Sequence, residues 1–120
     1  MFFHIWFVTK YRRPVLDEET EQKLLTIVQE IAKRKGYKIL EVEPNRDHVH
    51  ILLELDQREK LPSVVRTLKA VTAKKIREET PHLRVGNAFW AKRYGYKEVK
   101  AEGLKVVRKY IQEQKRIPHT

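Results

Sequence analysis

Along the chain, apolar positions switch between a repeat of two and a repeat of three to four, and each switch marks a predicted element. Phe2 to Thr9, aromatic and β-branched, predicts a strand closed by the basic turn Lys10-Tyr11-Arg12-Arg13-Pro14. Asp17 has the chemistry of an N-cap, followed by Glu18, Glu19 and Glu21 at the positive end of a helix dipole. Leu24, Ile27, Val28 and Ile31 form the apolar stripe of that helix, and Lys33, Arg34 and Lys35 lead to a terminating Gly36. Tyr37 to Glu43 predicts a second strand, Pro44-Asn45-Arg46-Asp47 a turn, and His48 to Leu55 a third strand. A second helix is predicted over Pro62 to Glu79, with Pro81 ending it. The segment Asn87 to Val99 holds a fourth strand with Phe89, Trp90, Tyr94 and Tyr96, and a last helix runs from about Glu102 to Arg116.

The order β-α-β-β-α-β-α predicts an α+β fold, a ferredoxin-like or RRM-like antiparallel sheet backed by helices. At 120 residues the chain suits a single domain over 1–120. It has no cysteine, which excludes a disulfide framework, a thiolate zinc site and a cysteine nucleophile. No apolar run approaches the roughly 20 residues of a membrane span, and the short aromatic start reads as a strand, so no membrane partner is expected. The expected location is the cytoplasm.

Charge changes the picture more than composition does. The formal net charge is +10. Residues 1–59 hold 10 basic and 11 acidic side chains, whereas residues 60–120 hold 16 basic and 5 acidic. The whole excess sits in the second half, as a surface facing a polyanion would require. Arg66, Lys69, Lys74, Lys75 and Arg77 fall on or near the second helix, and Lys92, Arg93 and Lys97 surround the fourth strand. These would neutralise phosphates, while Trp90, Tyr94 and Tyr96 would stack unpaired bases. Arg12 and Arg13 either join that surface or simply flank a turn.

The sharpest local feature is Asp47-His48-Val49-His50. Side chains at i and i+2 of a strand share a face, so the two imidazoles can converge on one metal ion while Val49 anchors the strand in the core. Tyr110 and Gln114 lie one turn apart on the last helix, beside its apolar stripe of Leu104, Val107 and Ile111. A phenolic oxygen can attack phosphorus, and an amide oxygen can serve as a third ligand. Two imidazoles and an amide oxygen suit Mg²⁺ or Mn²⁺. Asp47 either orients an imidazole or caps the turn, and His4 on its aromatic strand reads as a packing histidine.

Together, Lys10-Tyr11-Arg12-Arg13-Pro14-Val15-Leu16, Asp47-His48-Val49-His50-Ile51-Leu52, Asn87-Ala88-Phe89-Trp90 and Tyr110-Ile111-Gln112-Glu113-Gln114 resemble the HUH single-tyrosine transposases of the smallest insertion sequences. The resemblance implies that His48, His50 and Gln114 hold a divalent metal. It implies that Tyr110 attacks single-stranded DNA to give a 5′-phosphotyrosine link and a free 3′-OH, which later rejoins the strands. It further implies DNA hairpins at element ends as partners, and a homodimer in which the tyrosine helix of one subunit completes the histidine site of the other. The residues by themselves also fit a non-catalytic RRM-like nucleic-acid-binding module. A replication-initiator or relaxase-like nickase would use the same four side chains.

Overall fold

The Asp17 side chain accepts a hydrogen bond from the Thr20 backbone N–H at 2.8 Å, and Gly36 closes the same helix in the left-handed conformation at φ 74°. The first helix, α1 (Glu18–Lys35), is therefore bounded by the two residues that the sequence marks. The structure is a computed structural model and describes residues 1–80 and 89–114. Its other elements are β1 (Phe2–Val8), β2 (Lys38–Asn45), β3 (His48–Glu54), α2 (Leu61–Glu79), β4 (Gly95–Val99) and α3 (Leu104–Glu113). The strands form an antiparallel sheet in the order β2-β3-β1-β4. This is the predicted α+β architecture, with β1 and β3 central.

Alternation along the central strands sorts residues to two layers. Phe3, Ile5, Phe7, Val49, Ile51 and Leu53 face α1 and α2 and form the main core with Leu24, Val28, Leu68 and Ile76. The other face carries His4, Trp6, His50 and Leu52, and α3 covers part of it. Ile111 is fully buried there against Leu52 and Val99. Burial of one such side chain stabilises the docked helix by roughly 1.5–3 kcal/mol. Glu41 on β2 adds a clamp, accepting hydrogen bonds from Arg108 Nε at 3.0 Å and Gln112 Nε2 at 2.8 Å. Residue packing, rather than propensity alone, thus fixes where the last helix lies.

Three boundaries differ from the sequence expectation. β2 continues through Pro44 to Asn45, which pairs with His48, so the turn shrinks to Arg46-Asp47. A proline lacks an N–H and is tolerated there because β2 is an edge strand. Arg46 takes a left-handed φ of 44°, held by backbone bonds from Leu16 N–H to Arg46 C=O and Thr9 N–H to Asp47 C=O, both 2.8 Å. β4 begins only at Gly95; Phe89 and Trp90 instead lie in the core, with Trp90 bridged to Thr9. α3 starts at Leu104 after a short 3₁₀ turn at Ala101–Gly103. The predicted stop at Pro81, the motif residues Asn87 and Ala88, and the predicted helix end at Arg116 lie outside the described residues.

Candidate active site

β3 carries His48 and His50 on the face opposite Val49, with their ring centroids 5.1 Å apart. Each ring is held through Nδ1. Asp47 Oδ1 lies 2.7 Å from His48 Nδ1, and His4 Nε2 lies 2.9 Å from His50 Nδ1. Asp47 is itself gripped by Arg12, whose Nε donates to Oδ2 at 3.1 Å. Although burial pulls the other way, the bonds from His48 and Arg12 hold the Asp47 carboxyl below its usual range. Burial, then the neighbouring His4 and His48, pulls the His50 imidazole down to about 4. Burial and the Lys97 ammonium lower His4 as well. His4 and His50 are therefore neutral at physiological pH.

α3 brings Tyr110 over this pair within one chain. Its ring centroid is 6.5 Å from that of His50 and 6.4 Å from that of His4, and the side chain is half exposed. The tyrosine, His4, His50, Trp6, Lys97 and Lys100 line one cleft of about 610 Å³. Gln114 caps α3, and its backbone carbonyl accepts from Asn45 Nδ2 at 3.5 Å, next to His48 in the hairpin register. The helix end is thus tied to the histidine end of the hairpin. Two adjacent imidazoles, each with a hydrogen-bond partner at Nδ1, are chemically suited to a divalent cation, and the Gln114 amide oxygen is a third donor of the right type.

The basic residues divide into two groups. Arg66, Arg77 and Lys92 border a second cleft of about 520 Å³ beside α2, and Lys74, Arg93 and Arg13 are exposed. Lys75 is half-buried on α2. Three of the residues expected at the DNA surface also make contacts within the fold. Trp90 is only 5% exposed, packed edge-on against Phe7 and Phe89, with its Nε1 donating to Thr72 Oγ1 at 2.9 Å. It is mainly a core residue, with only an edge reaching the cleft beside α2. Lys69 donates to the Ala91 and Lys92 carbonyls at 2.6 and 3.0 Å, and burial lowers its pKa. Its ammonium ties α2 to the segment before β4. Arg12, its side chain 66% exposed, pairs with Asp47 at the surface.

The family described as "Transposase IS200 like" matches residues 1–114. The chain belongs to the IS200-like transposases. This transposase is similar to the ISDra2 transposase TnpA of Deinococcus radiodurans, with 30% identity over 93% of this chain and 82% of the relative. It is 28% identical to the transposase of insertion sequence IS200 from Salmonella typhimurium, over 93% of this chain and 75% of that one. A Deinococcus radiodurans crystal structure assigned as a transposase superposes with a TM-score of 0.77 at 29% identity, covering 95% of this chain and 90% of the other. A REP-associated tyrosine transposase bound to a REP hairpin shares the fold, with a TM-score of 0.60 at 12% identity, covering 94% and 65%. The resemblance in the sequence motifs is confirmed as membership of the family.

Sequence reasoning left His4 and Trp6 out of this transposase's site. The signal was present: both alternate with Phe3, Ile5 and Phe7 on β1, and so face the same side of the sheet as His50. What the pattern could not supply was the pairing of β1 with β3 that brings His4 to His50. Among the described residues, no helix is long and apolar enough to cross a membrane.

Proposed function

We propose that the chain cleaves and rejoins single-stranded DNA through a covalent 5′-phosphotyrosine at Tyr110. In the forward step Tyr110 Oη forms a bond to the scissile phosphorus and gives up its proton to solvent. The P–O3′ bond breaks, and the departing 3′ oxygen takes a proton to become a free 3′-OH. In the reverse sense a 3′-OH attacks the same phosphorus, a new phosphodiester forms, and the tyrosine hydroxyl is regenerated. The bond count is unchanged, so no nucleotide hydrolysis is needed.

The single observation that carries this reading is the 6.5 Å spacing between the Tyr110 and His50 rings across a cleft that Lys97 and Lys100 line. Its half-exposed side chain lets Tyr110 meet a strand laid in that cleft. Lys97 and Lys100 bring positive charge to the place a phosphate would occupy. His48 and His50, with Gln114, would hold Mg²⁺ or Mn²⁺, which when bound polarises a phosphate oxygen and fixes its position. Arg66, Lys74, Lys75, Arg77, Lys92, Arg93 and Arg13 would grip the backbone of DNA hairpins at element ends, and the hairpin carried by the structural relative supports that partner. The working form would be a homodimer, as the family resemblance implies, of one-domain chains in the cytoplasm.

The test is a strand-joining assay on a labelled single-stranded hairpin with Mn²⁺. The reading predicts a denaturation-resistant protein–DNA adduct and a joined product, both abolished by EDTA and by Tyr110→Phe. Salt-sensitive binding that ignores EDTA and His48→Ala, with no adduct, would instead establish a binding module. Nicking without joining would establish a nickase.

A further inference from the structure

The contact between His4 and His50 has a chemical consequence. A neutral imidazole has one nitrogen that donates and one that accepts. The 2.9 Å separation of His4 Nε2 and His50 Nδ1 therefore holds one proton, in one of two arrangements. If His4 Nε2 carries it, His50 must carry its own proton on Nε2, and that nitrogen has no lone pair to give. If His50 Nδ1 carries it, His50 Nε2 is a ligand. Only the second arrangement suits a metal site.

We infer that His4 is a positioning residue, its Nε2 accepting the Nδ1 proton of His50 and thereby fixing the ligating tautomer and ring plane of that histidine. The inference rests on the metal reading of His48 and His50 given above. His4 is well placed for the task because it is not free to turn. It lies on a central strand between Leu52 and Lys97 in register, is 9% exposed, and has the Trp6 ring 4.9 Å from its own. Asp47 performs the equivalent service for His48 with a carboxylate. The two acceptors differ in charge for a reason that the cleft suggests. His4 lines the cleft beside Tyr110 and Lys97, where a DNA phosphate has to enter. A neutral acceptor orients His50 there without adding a negative charge that would repel the strand. The Asp47 carboxylate is neutralised from outside by Arg12.

Two measurements on the full chain decide the matter. Long-range ¹⁵N–¹H correlation spectra of the metal-free wild type should show His50 protonated at Nδ1 and His4 accepting at Nε2; protonation of His50 at Nε2 would overturn the inference without any variant. Mn²⁺ titrations followed by electron paramagnetic resonance should show His4→Phe binding about 10–100-fold more weakly, the usual cost of losing such a partner. His4→Gln places an amide oxygen near the lost Nε2 and should restore most of the affinity. Wild-type affinity in a folded His4→Phe would also overturn the inference. His48→Ala separates the two levels: if it leaves Mn²⁺ binding intact, the metal reading itself falls, whereas weakened binding in His48→Ala beside unchanged binding in His4→Phe refutes His4 alone.

Discussion

Gly95 offers a sharp steric test of how the cleft is built. A Cβ added at this position would lie 2.1 Å from Trp6 Cε2 and 2.3 Å from its Nε1, far inside van der Waals contact. No unusual φ demands glycine at this site; the indole lying across the backbone does. In Gly95→Ala the indole must move by more than an ångström, and it is boxed in by His4 at 4.9 Å. Overpacking of this kind costs about 1–3 kcal/mol. For a chain of this size that corresponds to a fall in Tm of roughly 3–15 °C. Thermal unfolding by circular dichroism measures the loss. Trp6→Leu removes the obstructing ring, so in that background Gly95→Ala should be neutral or stabilising by about 0.4–1 kcal/mol, as expected for a strand glycine freed of its constraint. The double-mutant cycle should therefore show a coupling of about 1–4 kcal/mol. Additive behaviour, or a Gly95→Ala protein as stable as wild type, would refute the placement of Trp6 over β4.

Other outcomes follow from the same contacts. The His50 ring protons should titrate with a midpoint of about 4 in the metal-free protein, against 6.5 for an unperturbed histidine. Because the unfolded chain takes up that proton first, stability should fall as pH drops from 6.5 towards 4. The slope should stay below ~1.4 kcal/mol per pH unit, since the ring is partly solvated. Asp47→Ala should weaken Mn²⁺ binding about 10–100-fold, and Asp47→Asn less, because its amide oxygen still accepts from His48 Nδ1; isothermal titration calorimetry reads both. Trp90→Phe should destabilise by about 1–3 kcal/mol through loss of the buried bond to Thr72, with DNA affinity unchanged in the folded protein. Arg66→Ala should instead leave stability alone and reduce the slope of log affinity against log salt by about 0.7–0.9, measured by fluorescence anisotropy.

The local code of this chain was largely readable because its elements are strongly marked. Asp17 and Gly36 announce α1 by capping chemistry, and the alternation Val49, Ile51, Leu53 announces which face of β3 the histidines occupy. The placement of Tyr110 on the last helix was legible for the same reason. Tertiary partners were not. Nothing in the charge pattern distinguishes Lys69, whose ammonium binds two carbonyls, from Arg66, although both line the same cleft. Trp90 looks like a stacking platform in a basic segment until the bridge to Thr9 draws it into the core. Arg12 looks like a phosphate contact until the hairpin turn sets Asp47 beside it. His4 needed the register of β1 against β3, which no single-strand pattern contains. The corrections share one cause: long-range pairing decides whether a polar or aromatic side chain serves the structure or the ligand.

The central claim is that Tyr110 attacks DNA at a phosphate held beside His48 and His50. Mass spectrometric mapping of the adduct formed with single-stranded hairpin DNA and Mn²⁺ tests it most directly. The account predicts a tryptic peptide containing Tyr110 linked through its phenolic oxygen to the 5′-phosphate of the downstream fragment, with a free 3′-OH on the upstream fragment. Attachment to any other residue, attachment through a 3′-phosphate, or the absence of an adduct on a substrate that is cut would contradict it.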